Sequence, residues 1–443
     1  MFELNRELIL KASSPDIEVT VALPSSKSES NRALIIRAIS EGNVKIKNLS
    51  VAEDTLIMER LLNTIFEYSG DYVSSQNPAA SPEPCFLDVG AAGTVMRFLT
   101  AFLSVQPGDF VLTGSPRMQK RPVGLLVEAL RELGASINYM SGKGYPPLRI
   151  QGRAALAGGR VTIPGTISSQ YISALLMIAP RFTSGLELEI TGKPASGPYI
   201  QMTLDMMTAA GVSSNGDLAS GLISIPEQSY KNTTIEIESD WSSASYWFSI
   251  AALSTRSTVF LKGLKENSLQ GDRQVCRIME FFGVEHEFRN GGLAIHKNAS
   301  SLPRDQGVVP LFDFSECPDL AQTVIACAAG LGVNGSFTGL ETLRIKETDR
   351  IMALDTELQK LGVRLVDSGT TFTLDLSRRS IPASVCFNTY EDHRMAMALA
   401  PLALVIPELK LEDPAVVNKS YPSFWADLSS AGFEVTLDEN AWE

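Results

Sequence analysis

Glycines 134, 211, 283, 362 and 432 each close a helix-like run and open a short strand-like one, and this recurrence constrains the fold more than any other feature. The copies read Leu130-Arg-Glu-Leu-Gly134, Met206-Met-Thr-Ala-Ala-Gly211, Met279-Glu-Phe-Phe-Gly283, Leu358-Gln-Lys-Leu-Gly362 and Leu428-Ser-Ser-Ala-Gly432. Spacings of roughly 70 to 80 residues mark an internal repeat. Glycine suits the position because it accepts the left-handed backbone that ends a helix. Tyr68-Ser-Gly70 reads as a degraded first copy.

Between these runs lies a second helix that is apolar nearly all round. It appears around Ala33–Ile36, Val95–Leu103, Tyr171–Ile178, Ala244–Ile250, Leu320–Ile325 and Met395–Leu399. Such helices are buried. Each is followed by alternating residues, as in Val44-Lys-Ile-Lys, Leu186-Glu-Leu-Glu-Ile190 and Leu409-Lys-Leu-Glu412, which predict strands with one wet face. At 443 residues the chain exceeds what one core supports. Six αβ units shared between two domains follow: an α/β (α+β) architecture of three units per domain, with helices inside and sheets outside.

The loops after the strands collect basic and hydroxyl groups: Arg117, Lys120 and Arg121; Lys193, Ser196 and Tyr199; Lys346 and Arg350; Lys419, Ser420 and Tyr421. Leu343-Arg-Ile-Lys-Glu-Thr-Asp-Arg-Ile351 concentrates charge before a helix, where backbone N–H groups and the helix dipole favour anions. Ser25-Ser-Lys27-Ser28-Glu-Ser-Asn-Arg32 and Gly90-Ala-Ala-Gly93-Thr94 bring similar cradles to helix starts. A net charge of -12 excludes a diffuse nucleic-acid or anionic-membrane footprint, so any anion site is local. No apolar run reaches the roughly 18 residues of a transmembrane helix, and the first residues lack a signal-peptide pattern, so a cytoplasmic location is expected. The five cysteines show no metal-site spacing and are expected to be reduced, mostly buried thiols. Neither metal nor cofactor is expected, and with no unpaired apolar helix stripe a monomer is the expectation. Residues 72–84, rich in Ser, Pro and Ala, read as an exposed loop, and His286 and His296 as surface residues.

Taken together, Ser26-Lys-Ser-Glu-Ser-Asn-Arg32, Ala92-Gly-Thr-Val-Met-Arg97, Pro116-Arg-Met-Gln-Lys-Arg-Pro122, Ser168-Ser-Gln170, Pro318-Asp319, Lys346-Glu-Thr-Asp-Arg350, Asp392-His-Arg394 and Lys419-Ser-Tyr-Pro resemble the 3-phosphoshikimate 1-carboxyvinyltransferase family over almost the whole chain. The resemblance implies two domains, 25–239 and 1–24 plus 240–443, with the active site in the interdomain cleft. It implies transfer of the carboxyvinyl group of phosphoenolpyruvate to the 5-hydroxyl of shikimate 3-phosphate, by addition and elimination, in aromatic amino-acid biosynthesis, and a glyphosate target. Carried over by residue, Lys27 contacts both substrates. Ser28, Arg32, Ser168, Ser169, Gln170, Ser196, Asp319 and Lys346 fall on the shikimate 3-phosphate side, and Gly93, Arg121, Gln170, Arg350, Arg394 and Lys419 on the phosphoenolpyruvate side. Asp319 is the expected base on the hydroxyl, and Glu347 or Lys27 the partner at the methylene. A structural role, orienting Arg394, is expected for His393, and Cys317 is expected to be a small buried thiol.

Three positions depart from the pattern: Ala91 where many members carry Asn, Phe98 where many carry Pro, and Thr342 where a substrate-contacting Asn is common. They bear on loop geometry, on contact at 342 and on glyphosate sensitivity. Two rival readings remain. A UDP-N-acetylglucosamine enolpyruvyl transferase would usually carry a cysteine in the loop 114–121, which has none. A non-catalytic anion-binding module on the same scaffold would not need Asp319 and Glu347.

Overall fold

The structure, a computed structural model, describes residues 7–74, 83–289, 291–299 and 309–438. The chain divides into two compact units, Ser26–Ile237 and Met1–Ser25 with Glu238–Glu443. Each has its own apolar core.

One plan repeats within both units. The strand Cys85–Asp88 leads through the buried helix Gly93–Ser104 to the parallel strand Gly108–Thr113. The outer helix Gly124–Glu132 then leads to a hairpin, Ser136–Tyr139 and Leu148–Gly152, whose second strand returns antiparallel beside Gly108–Thr113. A parallel pair needs such a crossover helix, whereas the hairpin closes locally. The same order recurs from Gly159–Pro164 to Leu222–Ile225 and from Leu311–Asp313 to Phe372–Asp375.

The remaining sheets use strands distant in sequence. Asp16–Ala22 lies parallel to Arg256–Lys262, and Thr233–Glu236 parallel to Val44–Lys47. Glu7–Ala12 runs antiparallel between Glu408–Glu412 and Phe433–Asp438. The opening segment thus completes two sheets of the unit formed by the second half of the chain.

All six apolar helices predicted from sequence are present, at Lys27–Ile39, Gly93–Ser104, Ser169–Ile178, Trp241–Leu253, Ala321–Leu331 and His393–Leu399, and each contributes buried residues to its core. The repeat glycines 134, 211, 283, 362 and 432 have φ of 101°, 81°, 80°, 67° and 93°, the left-handed helix ends their position predicts. Gly70 does not belong with them. It lies inside the helix Glu53–Ser74, whose 22 residues absorb the roughly 1 kcal/mol that an interior glycine costs.

That helix also takes in 72–74, correcting the loop expected there, and 75–82 lie outside the described residues. All five cysteines are free thiols: Cys276, Cys317 and Cys327 are buried, Cys85 and Cys386 half-buried. His286 and His296, expected at the surface, are half-buried, His286 3.7 Å from Glu280 and edge-on to Phe288.

Candidate active site

Most of the expected site residues gather at the N-terminal ends of helices, while Arg121, Lys346 and Lys419 end short 3-10 turns, and the reason is local. Hydroxyl and carboxylate side chains cap the N–H groups left over at those ends. Ser26 caps Lys27–Ile39, Ser168 caps Ser169–Ile178, Asp240 caps Trp241–Leu253, Asp349 caps Arg350–Gln359 and Asp392 caps His393–Leu399. Capping thus anchors the loops that carry the charged groups.

In the unit Met1–Ser25 with Glu238–Glu443, these ends converge on Arg350. It is 2% exposed and answered by three carboxylates. Nε and Nη2 reach Asp392 at 2.7 and 3.3 Å, Nη1 reaches Asp319 at 3.1 Å, and Nη2 reaches Glu347 at 2.9 Å. Arg394 Nη2 donates to the other oxygen of Asp319 at 2.9 Å and to Ser242 Oγ at 3.2 Å, while Nη1 lies 3.5 Å from the Tyr246 hydroxyl. Lys419 Nζ stands 3.2 Å from Glu347. Asp319, Glu347, Arg350, Arg394 and Lys419 are therefore one cluster, to which Lys346 contributes by its charge on Asp319.

The electrostatics follow from this packing. Burial opposes the charge of Asp319, but Arg394, Lys346 and Arg350 outweigh it and hold the carboxyl well below the usual carboxylate range. Burial likewise opposes the charge of Arg350, and Asp392, Glu347 and Asp319 more than restore it.

Asp272 stands differently. It accepts the Ser242 hydroxyl proton, and burial first, then the Asp319 charge, pushes it up to about 7. A carboxyl whose folded pKa exceeds its unfolded value of about 3.9 binds its proton more tightly when folded, so it costs stability as pH rises from about 4 to 7. Asp272→Asn is expected to flatten that fall, gaining about 2–4 kcal/mol over wild type at pH 7.5 relative to pH 4.5 in urea titrations. Parallel curves for the two proteins would contradict the assignment.

In the unit Ser26–Ile237 a second group forms. A Cβ on Gly93 would lie 2.7 Å from the Arg121 guanidinium, so the bare backbone is what lets Arg121 lie against this helix start. Gln170 Nε2 donates to Thr94 Oγ1 on the same helix at 3.1 Å. Arg97 braces the loop from below, donating to Gly93 O and Pro122 O. Lys27 Nζ is 3.1 Å from Asp54, which is itself buried. Ser28, Ser169 and Ser196 sit at helix starts, Ser196 in the left-handed conformation at φ 57°.

Arg32, expected on the shikimate 3-phosphate side, lies just beneath Ser28: Nε donates to Thr203 Oγ1 at 2.7 Å, Nη1 to Ser28 O at 2.9 Å, and Nη2 to Ser173 Oγ and Tyr199 O at 3.2 and 3.1 Å. Phe98 and Tyr199 cover the guanidinium, and burial lowers its pKa to about 10. It ties three helices together under Ser28. Cys317 is fully buried, as expected. His393 is buried with Nδ1 3.5 Å from Asp392, and the bond orienting the Arg394 backbone comes from Asp392 Oδ1 at 2.9 Å.

Sequence reasoning missed Asp54, Ser242, Tyr246 and Asp272, and it quoted Thr94 and Asp392 without giving either a side-chain role. Ser242 had a findable signal, because Asp240-Trp-Ser-Ser before an apolar run is a capping pattern. Asp54 and Asp272 had none beyond a single acidic residue.

A family model described as EPSP synthase (3-phosphoshikimate 1-carboxyvinyltransferase) matches residues 12–428. A 3-phosphoshikimate 1-carboxyvinyltransferase of Bacteroides fragilis strain YCH46 is 45% identical over 432 residues, 97% of this chain and 99% of that protein. One of Sulfurovum sp. strain NBC37-1 is 36% identical, covering 94% and 96%. The solved EPSP synthase of Acinetobacter baumannii has the same fold, with a TM-score of 0.71 at 23% identity over 97% of this chain and all of that one.

Proposed function

The chain belongs to the EPSP synthase family, and we propose that Arg350, Arg394 and Lys419 hold phosphoenolpyruvate while Asp319 takes the proton of the attacking hydroxyl. The enzyme transfers the enolpyruvyl group of phosphoenolpyruvate to the 5-hydroxyl of shikimate 3-phosphate and releases phosphate, a step of aromatic amino-acid biosynthesis.

The observation that carries the division of labour is Asp319 bridging two arginines, Oδ1 to Arg350 and Oδ2 to Arg394. Each guanidinium offers a planar fork suited to phosphate or carboxylate. The two substrates together bring about six negative charges, from phosphates near -2 and a carboxylate on each. The chain offers matching cations in Lys27, Arg121, Lys346, Arg350, Arg394 and Lys419. Bound phosphoenolpyruvate competes with Asp319 for Arg350 and Arg394. Losing that cationic hold raises the proton affinity of Asp319 toward the range a general base needs. Substrate binding thereby activates the base.

Addition of the 5-hydroxyl oxygen to the enol carbon then sends a proton to the methylene from Glu347 or Lys27, giving a tetrahedral intermediate. Elimination removes a methyl proton and expels phosphate. Arg32 supports this site by fixing the start of its helix. A cytoplasmic monomer acting without a cofactor, on small molecules rather than nucleic acid or membrane, completes the reading. Among the described residues no helix is long and apolar enough to cross a membrane.

Arg394→Lys tests the division, since lysine keeps the charge and loses the fork. KM for phosphoenolpyruvate should rise about tenfold and KM for shikimate 3-phosphate stay within twofold. A larger effect on shikimate 3-phosphate would reverse the assignment.

A further inference from the structure

Asp392 is fully buried and meets both arginines of the cluster, its carboxylate pairing with the Arg350 guanidinium and accepting from the Arg394 backbone N–H. The loop that delivers it is strained. Tyr390 and Glu391, the two residues before it, have φ of 54° and 55°, a left-handed backbone that side-chain-bearing residues adopt rarely and that persists only where the surroundings enforce it.

The enforcement comes from Glu357. It is 1% exposed, and each oxygen is committed. Oε2 accepts from the Asn388 backbone N–H at 3.0 Å and from Lys360 Nζ at 2.7 Å, and Oε1 accepts from the Tyr390 hydroxyl at 2.7 Å. Within the loop, Asn388 Oδ1 accepts from Tyr390 N–H at 2.7 Å, and Asp392 N–H donates to Thr389 O at 2.9 Å.

Glu357 and Arg350 belong to one helix, Arg350–Gln359. Seven residues make two turns, about 10 Å along the axis, so the two side chains leave the same face. The helix therefore grips the loop twice. Arg350 takes Asp392 at one end, and Glu357 takes Asn388 and Tyr390 at the other.

We propose that Glu357 and Tyr390 are positioning residues for phosphoenolpyruvate binding, holding the 388–392 loop in the turn that sets Asp392, and through it Arg350 and Arg394. Neither touches the cluster itself. The inference rests on Arg350 and Arg394 being the phosphoenolpyruvate ligands.

The experiment measures both Michaelis constants and the thermal midpoint for Tyr390→Phe, Glu357→Gln, the double variant and Lys360→Met, with Arg394→Lys in parallel. Tyr390→Phe removes one hydroxyl and keeps the ring. It and Glu357→Gln are expected to raise KM for phosphoenolpyruvate about five- to tenfold, with KM for shikimate 3-phosphate within twofold, because small displacements of substrate-positioning groups are costly. The double variant should be no worse than the stronger single change, since both act on the Glu357–Tyr390 contact. Lys360→Met should leave the ratio of the constants alone, because Lys360 reaches Glu357 and Cys386 O but not the residues 388–392.

Lower thermal midpoints with an unmoved ratio, while Arg394→Lys moves it, would overturn the positioning role and leave the binding assignment standing. An equal shift from Lys360→Met would also overturn it. No shift from Arg394→Lys would remove the binding assignment and the inference with it.

Discussion

Asp319→Asn is expected to lower kcat by about 10²- to 10⁴-fold while leaving both Michaelis constants within a few-fold. Asparagine keeps the size of the side chain and an oxygen for one of the two arginines, so Arg350 and Arg394 retain most of their arrangement. What it loses is the capacity to take a proton. In the free protein that capacity is suppressed, because three nearby cations hold the carboxyl well below its usual range despite burial. On the proposed reading the group stays charged and paired until anionic substrate competes for the same guanidinium groups. Rapid-quench and steady-state measurements of phosphate formation report the loss. Turnover within tenfold of wild type would remove Asp319 as the base.

Arg350→Met is expected to cost about 3–5 kcal/mol of stability at neutral pH, because it leaves Asp319, Glu347 and Asp392 clustered around an apolar side chain. The pH dependence carries the physical signature. In wild type the depressed Asp319 pKa contributes stability above the unfolded value near 4, and this is lost as pH falls through the lower folded pKa. In the variant the crowded carboxylates bind protons more readily folded than unfolded, so its stability falls as pH rises from about 4 toward 7. Urea midpoints should therefore diverge at pH 7.5 and approach one another near pH 4.5. A constant gap across that range would mean that Arg350 acts by packing rather than charge. Where the variant folds, KM for phosphoenolpyruvate should rise by at least about a hundredfold, as expected when a buried, hydrogen-bonded charge partner is lost.

Much of this protein was legible because its repeat uses local signals. Gly134 or Gly362 announces a helix end by one backbone requirement, and the apolar run from Val95 to Leu103 announces burial by composition alone. The residues of the charged cluster were legible one by one, since lysine, arginine and carboxylates at helix starts point to anions. Their partnerships were not. Nothing near Asp319 says that it divides its oxygens between Arg350, 31 positions away, and Arg394, 75 away, because only the packing of three helices brings them together. The partners of Arg32 were hidden for the same reason, since Thr203 and Ser173 approach it from helices far along the chain. Gly70 failed differently, since a lone glycine signals an end only where the following residues stop favouring helix.

Whether the cluster performs an enolpyruvyl transfer is tested directly by a single-turnover phosphate assay. Enzyme in excess is mixed with phosphoenolpyruvate and shikimate 3-phosphate together, then with each omitted, and the carbon product is identified by mass. Enolpyruvyl transfer predicts one equivalent of phosphate and the enolpyruvyl ether of shikimate 3-phosphate when both are present, and neither product when one is missing. Phosphate from phosphoenolpyruvate alone, dependence on a UDP-linked amino sugar as acceptor, or tight binding of both substrates without phosphate release would each contradict it.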